Sequence, residues 1–239
     1  MIFDEFSYIK LYFIKKLRGI KMKFFLFSKI SFEIPEPITL IECYCYQNDF
    51  YSRYDLLEDK KIEDVNKIGA RIKKEVLSEC KIITESTKSL NIFKYNLEQF
   101  LDLEEKKRSK RIIELNEFVI QKLLKINGIA LSTTTKILHT LYPKIIPMID
   151  SLLQKKYCEA VDDEWTEKRA DEIFIDFYNN LNIGNNRENL NYIFDKLLEN
   201  NIQHLSKIRI FDILWWSYLK AEKLREGKGI NWNTIKFRR

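Results

Sequence analysis

Residues Leu123–Tyr157 read LLKINGIALSTTTKILHTLYPKIIPMIDSLLQKKY. Phe118 to Lys125 has the apolar spacing of a helix. Ile126-Asn127-Gly128-Ile129 has the composition of a tight turn, and Leu131 to Leu141 resumes a helical period through Thr135, Leu138 and Leu141. Pro143 and Pro147 stiffen the link that follows, which ends on Asp150 before another apolar run. The physical reading is two helices joined by a hairpin, with a carboxylate delivered at the start of a third helix. A glycine at such a turn lets backbone N–H groups of the turn and of the next helix face outward together. That geometry receives a phosphate without side-chain charge. Ser132 and Thr133 crowd the same helix start as hydroxyl donors or caps. An ordinary helix corner would use the same glycine, so the residues around the hairpin have to decide.

The 239 residues are long enough to bury a substantial core. Only 6 glycines and 4 prolines punctuate them, which favours long helices over many short strands. The net charge of +6, with a pI near 8.9, makes an anionic partner plausible without demonstrating one. Cys43, Cys45, Cys80 and Cys158 have neither disulfide-framework nor zinc spacing, and only two histidines accompany them. They read as free thiols in a reducing cytosol, and neither a metal nor a cofactor is expected. No apolar run reaches the roughly 18 residues of a membrane span. The opening segment, with acids first and lysines throughout, is unlike a signal peptide, so a cytoplasmic location is expected. Its stripe of Phe6, Ile9, Phe13 and Leu17 fits packing on the body of the protein better than lying on a membrane surface.

Residues 24–34 alternate partially and suggest a short strand or extended arm. Pro37 suits the first turn of a helix running to about Tyr46. Residues 1–48 form an N-terminal helix and arm in this reading, and 49–239 a helical body with the hairpin at 117–142. Val65, Ile68, Ile72 and Val76 predict one helix over about Ile62 to Val76. The charged run EEKKRSKR at 104–111 reads as a solvated helix face with intrahelical pairs. Helices are expected at about 151–160, 168–180, 188–200 and 205–224, with a start at Trp165-Thr166-Glu167 and a stop at Gly184. The fold class is all-α, with one short extended segment near the N-terminus.

The hairpin and the aspartate behind it resemble the helix-hairpin-helix DNA glycosylase superfamily. There an apolar, glycine-containing hairpin is followed by a helix and an apolar–Asp pair. Ile126-Asn127-Gly128-Ile129-Ala130 stands at the hairpin and Ile149-Asp150 at the acid, 22 residues beyond Gly128. The resemblance covers about 35 residues directly. A looser likeness to an uncharacterised bacterial group in the same orbit rests on Tyr54-Asp55, Asp64-Val65-Asn66, Ala70-Arg71, Lys136-Ile137-Leu138 and Ile208-Arg209-Ile210-Phe211-Asp212 with Trp215-Trp216.

The superfamily resemblance implies a two-lobed helical fold and double-stranded DNA as partner, held through its phosphate backbone by Asn127, Gly128, Ile129, Ala130, Ser132 and Thr133. It also implies a catalytic role for Asp150 in cleaving a base–sugar bond. Tyr54, Arg71, His139, Trp215 and Trp216 are candidates for a base pocket. Aromatic residues and a helix-borne histidine are nevertheless more often core than platform. Ala130 replaces a second glycine, and Ser132 stands where bifunctional members carry a lysine. Leu152 and Lys155 replace a histidine and an arginine. Any glycosylase would therefore be monofunctional. Two other readings stay open: a non-catalytic DNA- or nucleotide-binding protein of the same fold, and a helical protein-interaction module. Asp150 before Ser151 is also a good helix N-cap.

Overall fold

The computed structural model describes residues 20–26, 30–47, 62–161, 169–203 and 205–225. The fold is all-α, with one small sheet at its N-terminal end. The extended segment is a hairpin rather than a single arm. Strand β1 (Lys21–Leu26) pairs antiparallel with β2 (Ile30–Pro35), placing Met22 opposite Ile34 and Phe24 opposite Phe32. Alternation puts those four apolar side chains inward and leaves Lys21, Lys23, Ser31 and Glu33 exposed.

Helix α1 (Pro37–Gln47) begins on proline, whose fixed φ and missing N–H suit a first helical position. It buries Leu40, Ile41 and Cys45. The single helix expected over 62–76 is two pieces. A 3-10 stretch (Ile62–Ile68) ends at Gly69, with φ +78°, and α2 (Lys74–Glu85) begins after Arg71, with φ +59°. The side chain of Asn66 closes the break, accepting from the N–H of Ile72 at 2.6 Å and donating to its carbonyl at 2.8 Å. Local side-chain bonding of this kind competes with helix continuation. Val65, Ile68 and Ile72 still face inward, so their spacing is satisfied without a continuous helix.

Two short 3-10 turns lead to α3 (Leu97–Leu101), whose start is a capping box between Asn96 and Gln99. Helix α4 (Glu105–Leu115) passes through a π turn (Asn116–Ile120) into α5 (Gln121–Leu124). The charged face of α4 is exposed as expected except at Arg108, which is buried, and Arg111, which is half-buried. Its guanidinium donates to the carbonyls of Leu101 and Leu103 and to Oδ1 of Asn179, so it fastens α4 to the chain on both sides. After the hairpin come α6 (Leu131–Leu141), α7 (Ser151–Val161), α8 (Ala170–Leu181), α9 (Asn186–Glu199) and α10 (Lys207–Arg225). The expected start at residues 165–167 lies outside the described residues.

The core gathers around α10, where Ile208 through Trp215 are all buried. Phe32 lies 4.1 Å from the ring of Trp215, and Phe211 packs against Phe24, Phe177 and Trp215. The loop at Gly184 and the start of α9 hold the outer edge of β1. Asn186 bonds both the N–H and the carbonyl of Phe25, each at 2.9 Å, and Asn189 donates to the carbonyl of Lys23. Among the described residues, no helix is long and apolar enough to cross a membrane.

Candidate functional site

The hairpin is a tight, outward-facing turn on two buried anchors. Ile126 and Ile129 are buried, while Asn127, Gly128 and Ala130 are exposed. The N–H of Ile126 reaches the carbonyl of Leu123, and that of Ile129 the carbonyl of Ile126. Gly128 has φ +84°, and a Cβ there would meet nothing within 4 Å. The glycine is thus required by backbone conformation, and the space beyond it is open. Ala130 occupies the N-cap position of α6 and provides no side-chain acceptor. The first bond of the helix runs from the N–H of Thr134 to the carbonyl of Ala130. The N–H groups of Leu131, Ser132 and Thr133 therefore have no partner within α6. The half-buried Ser132 and Thr133 side chains flank them.

The link from α6 to α7 is sewn back onto α6. Thr135 Oγ1 accepts the N–H of Ile149 at 3.1 Å, and His139 Nδ1 lies 2.6 Å from the carbonyl oxygen of Ile146. Tyr178 donates to the carbonyl of Ile145, and Gln154 to that of Ile149. Ile145, Ile146 and Ile149 are buried beneath these bonds. The residue before the carboxylate is consequently fixed in space by side chains from α6 and α7.

Asp150 is half-buried and caps α7 through a single oxygen: Oδ1 accepts the N–H groups of Leu152 and Leu153, both at 2.9 Å. Oδ2 accepts no hydrogen bond among the described residues. Capping thus engages one of the two carboxylate oxygens among the described residues.

Charged groups from three elements interact with it or with one another. Lys136, on α6, is half-buried, and burial lowers its ammonium pKa, against the attraction of Asp150 and Asp212 and with the repulsion of Arg209 and Arg71. Its Nζ donates to the carbonyl of Gly69 at 3.4 Å, which brings the turn carrying Arg71 against α6. On α10, Arg209 pairs with Asp212 and donates to the Tyr44 hydroxyl at 2.7 Å. Burial pushes the Asp212 carboxyl up to about 6, with Arg209 and His139 opposing and Asp150 adding to the rise. Lys136 and Arg209 thus lie within electrostatic reach of Asp212, and Lys136 also of Asp150 and Arg71. Perturbed titratable groups cluster at functional sites, which makes this carboxylate a candidate.

The candidate pocket residues divide. Arg71 is exposed at this cluster. Trp216 is half-buried, with its ring edge-on to Tyr44 at 6.2 Å. Trp215 is 0 % exposed and packs in the core against Phe32 and Phe211, so it lines no pocket. His139 is 1 % exposed and is held against the Ile146 carbonyl, a clamp rather than a pocket wall. Tyr54 lies outside the described residues. Lys136, Arg209 and Asp212 were missed as site residues. Arg209 and Asp212, three apart on one helix, read in sequence as an ordinary pair, and they do pair. Lys136 is one lysine among many until Gly69 and Asp150 are brought beside it. Among the described residues, no group of three or more metal-ligating side chains occurs. No family model, curated protein or solved structure matches this chain.

Proposed function

We propose that this protein binds double-stranded DNA in the manner of the helix-hairpin-helix glycosylases, with their two-lobed architecture, and cleaves the N-glycosidic bond of a modified, extruded base. The observation that carries the reading is Asp150. Its backbone is fixed from α6, one oxygen caps α7, and the other accepts no hydrogen bond among the described residues, with Lys136 and Asp212 within electrostatic reach. In the reaction, the exposed turn at Gly128 and the N–H groups of Leu131, Ser132 and Thr133 hold backbone phosphate. The negative charge on Asp150 then stabilises the positive charge that develops on the sugar as the base departs with the bonding pair; water adds at the anomeric carbon, and the proton it loses balances the one taken up by the base. Extrusion brings that sugar to the carboxylate.

The cap itself favours a second reading, in which Asp150 is structural and the fold binds DNA or a nucleotide without chemistry. Base release from a panel of damaged duplexes, followed by alkaline cleavage of abasic sites, separates the two. The wild-type chain releases a base and Asp150→Asn does not, although it still binds. An active Asp150→Asn chain removes the mechanism, and an inert wild type that binds DNA selects the second reading. Gly128→Val weakens binding on every sequence alike. No binding at low ionic strength would point to a protein-interaction module.

A further inference from the structure

Lys136 is an unusual place for an ammonium group. Its stem lies on α6 among buried neighbours, yet among the described residues its nitrogen makes one long hydrogen bond, to the Gly69 carbonyl, and no ion pair. An ammonium group has three donors, so two remain unassigned. Arg71 stands two residues beyond Gly69 in a left-handed conformation that an unbranched side chain adopts only at a cost. Asn66 holds that conformation through both backbone bonds to Ile72. The guanidinium is exposed and likewise has no ion pair among the described residues. Arg209 does not compensate the pair, because it is a third cation and is engaged with Asp212 and Tyr44.

Two cations from separate elements therefore lie close together with donors unassigned among the described residues, and Asp150 is within electrostatic reach of Lys136. Lys136 lies one helical turn beyond Ser132 on α6, a rise of about 6 Å along the axis. Successive phosphates of one strand are separated by a comparable step. A first phosphate on the N–H groups at the start of α6 would place its neighbour level with Lys136. The guanidinium fork and the ammonium are complementary to the oxygens of a phosphodiester. The carboxylate of Asp150 opposes an anion here. Its capping bonds to α7 and the excess of cations over carboxylates reduce that repulsion.

We propose that Lys136 and Arg71 form a phosphate clamp that holds the backbone phosphate adjoining the nucleotide addressed by Asp150. This rests on the nucleic-acid reading above, but the clamp can be tested apart from it. Lys136→Met keeps the buried stem and removes the charge. Arg71→Asn removes the charge with a residue that tolerates the left-handed backbone. Lys107→Met, on the exposed face of α4, controls for the change in net charge. Binding of each full-length variant to a short fluorescent duplex is measured by anisotropy over a salt gradient. The slope of log K against log salt falls by about 0.9 for the double variant, which releases the one clamped phosphate, and by no more than that for either single variant, on every sequence. Slopes equal to that of Lys107→Met overturn the clamp and leave the DNA-binding reading standing. The second arm titrates pyrophosphate while following the side-chain NMR signals of Lys136 and Arg71. A wild type that binds no duplex but shows these signals responding keeps the anion site and removes its nucleic-acid partner. Silence in both arms overturns the clamp together with the reading.

Discussion

Two substitutions at Asp150 separate its structural role from its charge. Oδ1 accepts two N–H groups of the first turn of α7, where a helix has no acceptors of its own. Alanine removes both bonds and should cost about 1–2 kcal/mol, the upper part of the range for N-cap replacement. Asparagine presents an oxygen at the same position and loses only the attraction between a full charge and the helix terminus, about 0.5 kcal/mol. Urea unfolding at constant m therefore orders the three chains wild type, Asn, Ala, with the larger gap between Asn and Ala. The same Asn variant reports on the charge cluster. Asp150 holds the Lys136 ammonium pKa up and adds to the rise of the Asp212 carboxyl. Without that charge both pKa values move down, which side-chain NMR titration of the two residues reads directly. An Asn variant as unstable as the Ala variant would refute the cap assignment. Unmoved titrations of Lys136 and Asp212 would refute the cluster itself.

A Cβ on Gly184 would stand 2.7 Å from a ring carbon of Phe25, at φ +54°. Gly184→Ala should thus destabilise by about 2 kcal/mol, more than Gly128→Ala, where only the backbone term of about 1 kcal/mol applies. A double-mutant cycle with Phe25→Ala should recover part of the loss, and full additivity would show that the ring is not the obstacle. Asp212 gives the pH dependence. Its carboxyl is held at about 6, above its ordinary 3.8, so between those values the folded chain binds the proton that the unfolded chain has released. The stability of wild type relative to Asp212→Asn should therefore rise as pH falls from 6.5 to 4, by up to a few kcal/mol. A flat difference curve would mean that the carboxyl titrates normally.

The segment that decides the fold was legible because its signals are local. Gly128 marks the turn, Leu131 to Leu141 keeps an unbroken helical period, and Asp150-Ser151 is a cap by composition; the helix bounds follow. The break between Ile62 and Val76 was not legible in the same way. The apolar positions continue through it in register, and what interrupts the helix is the side chain of Asn66 folding onto Ile72. Gly69 was the available warning. In the N-terminal hairpin, Met22, Phe24, Phe32 and Ile34 show alternation, but nothing local says that the two runs pair. The cluster at Asp150 was illegible for a different reason. Gly69 meets Lys136 across 67 positions and Tyr44 meets Arg209 across 165, so their convergence exists only after folding. Trp215 and Trp216 show the limit of residue type as evidence, since adjacent tryptophans on one helix end up in the core and at its margin.

The asparagines that hold β1 carry a consequence for the order in which the chain is completed. Asn186 reaches Phe25 across 161 positions and Asn189 reaches Lys23 across 166, and both bond the edge of β1 that faces away from β2. On a ribosome the hairpin emerges 161 residues ahead of Asn186, which finishes its edge. Until then β1 presents a row of unpaired N–H and carbonyl groups, the kind of edge on which another strand can add. Nascent chains stalled before α9 should therefore be the species that associate, and the finished chain is protected by two side-chain amides taking the place of a third strand.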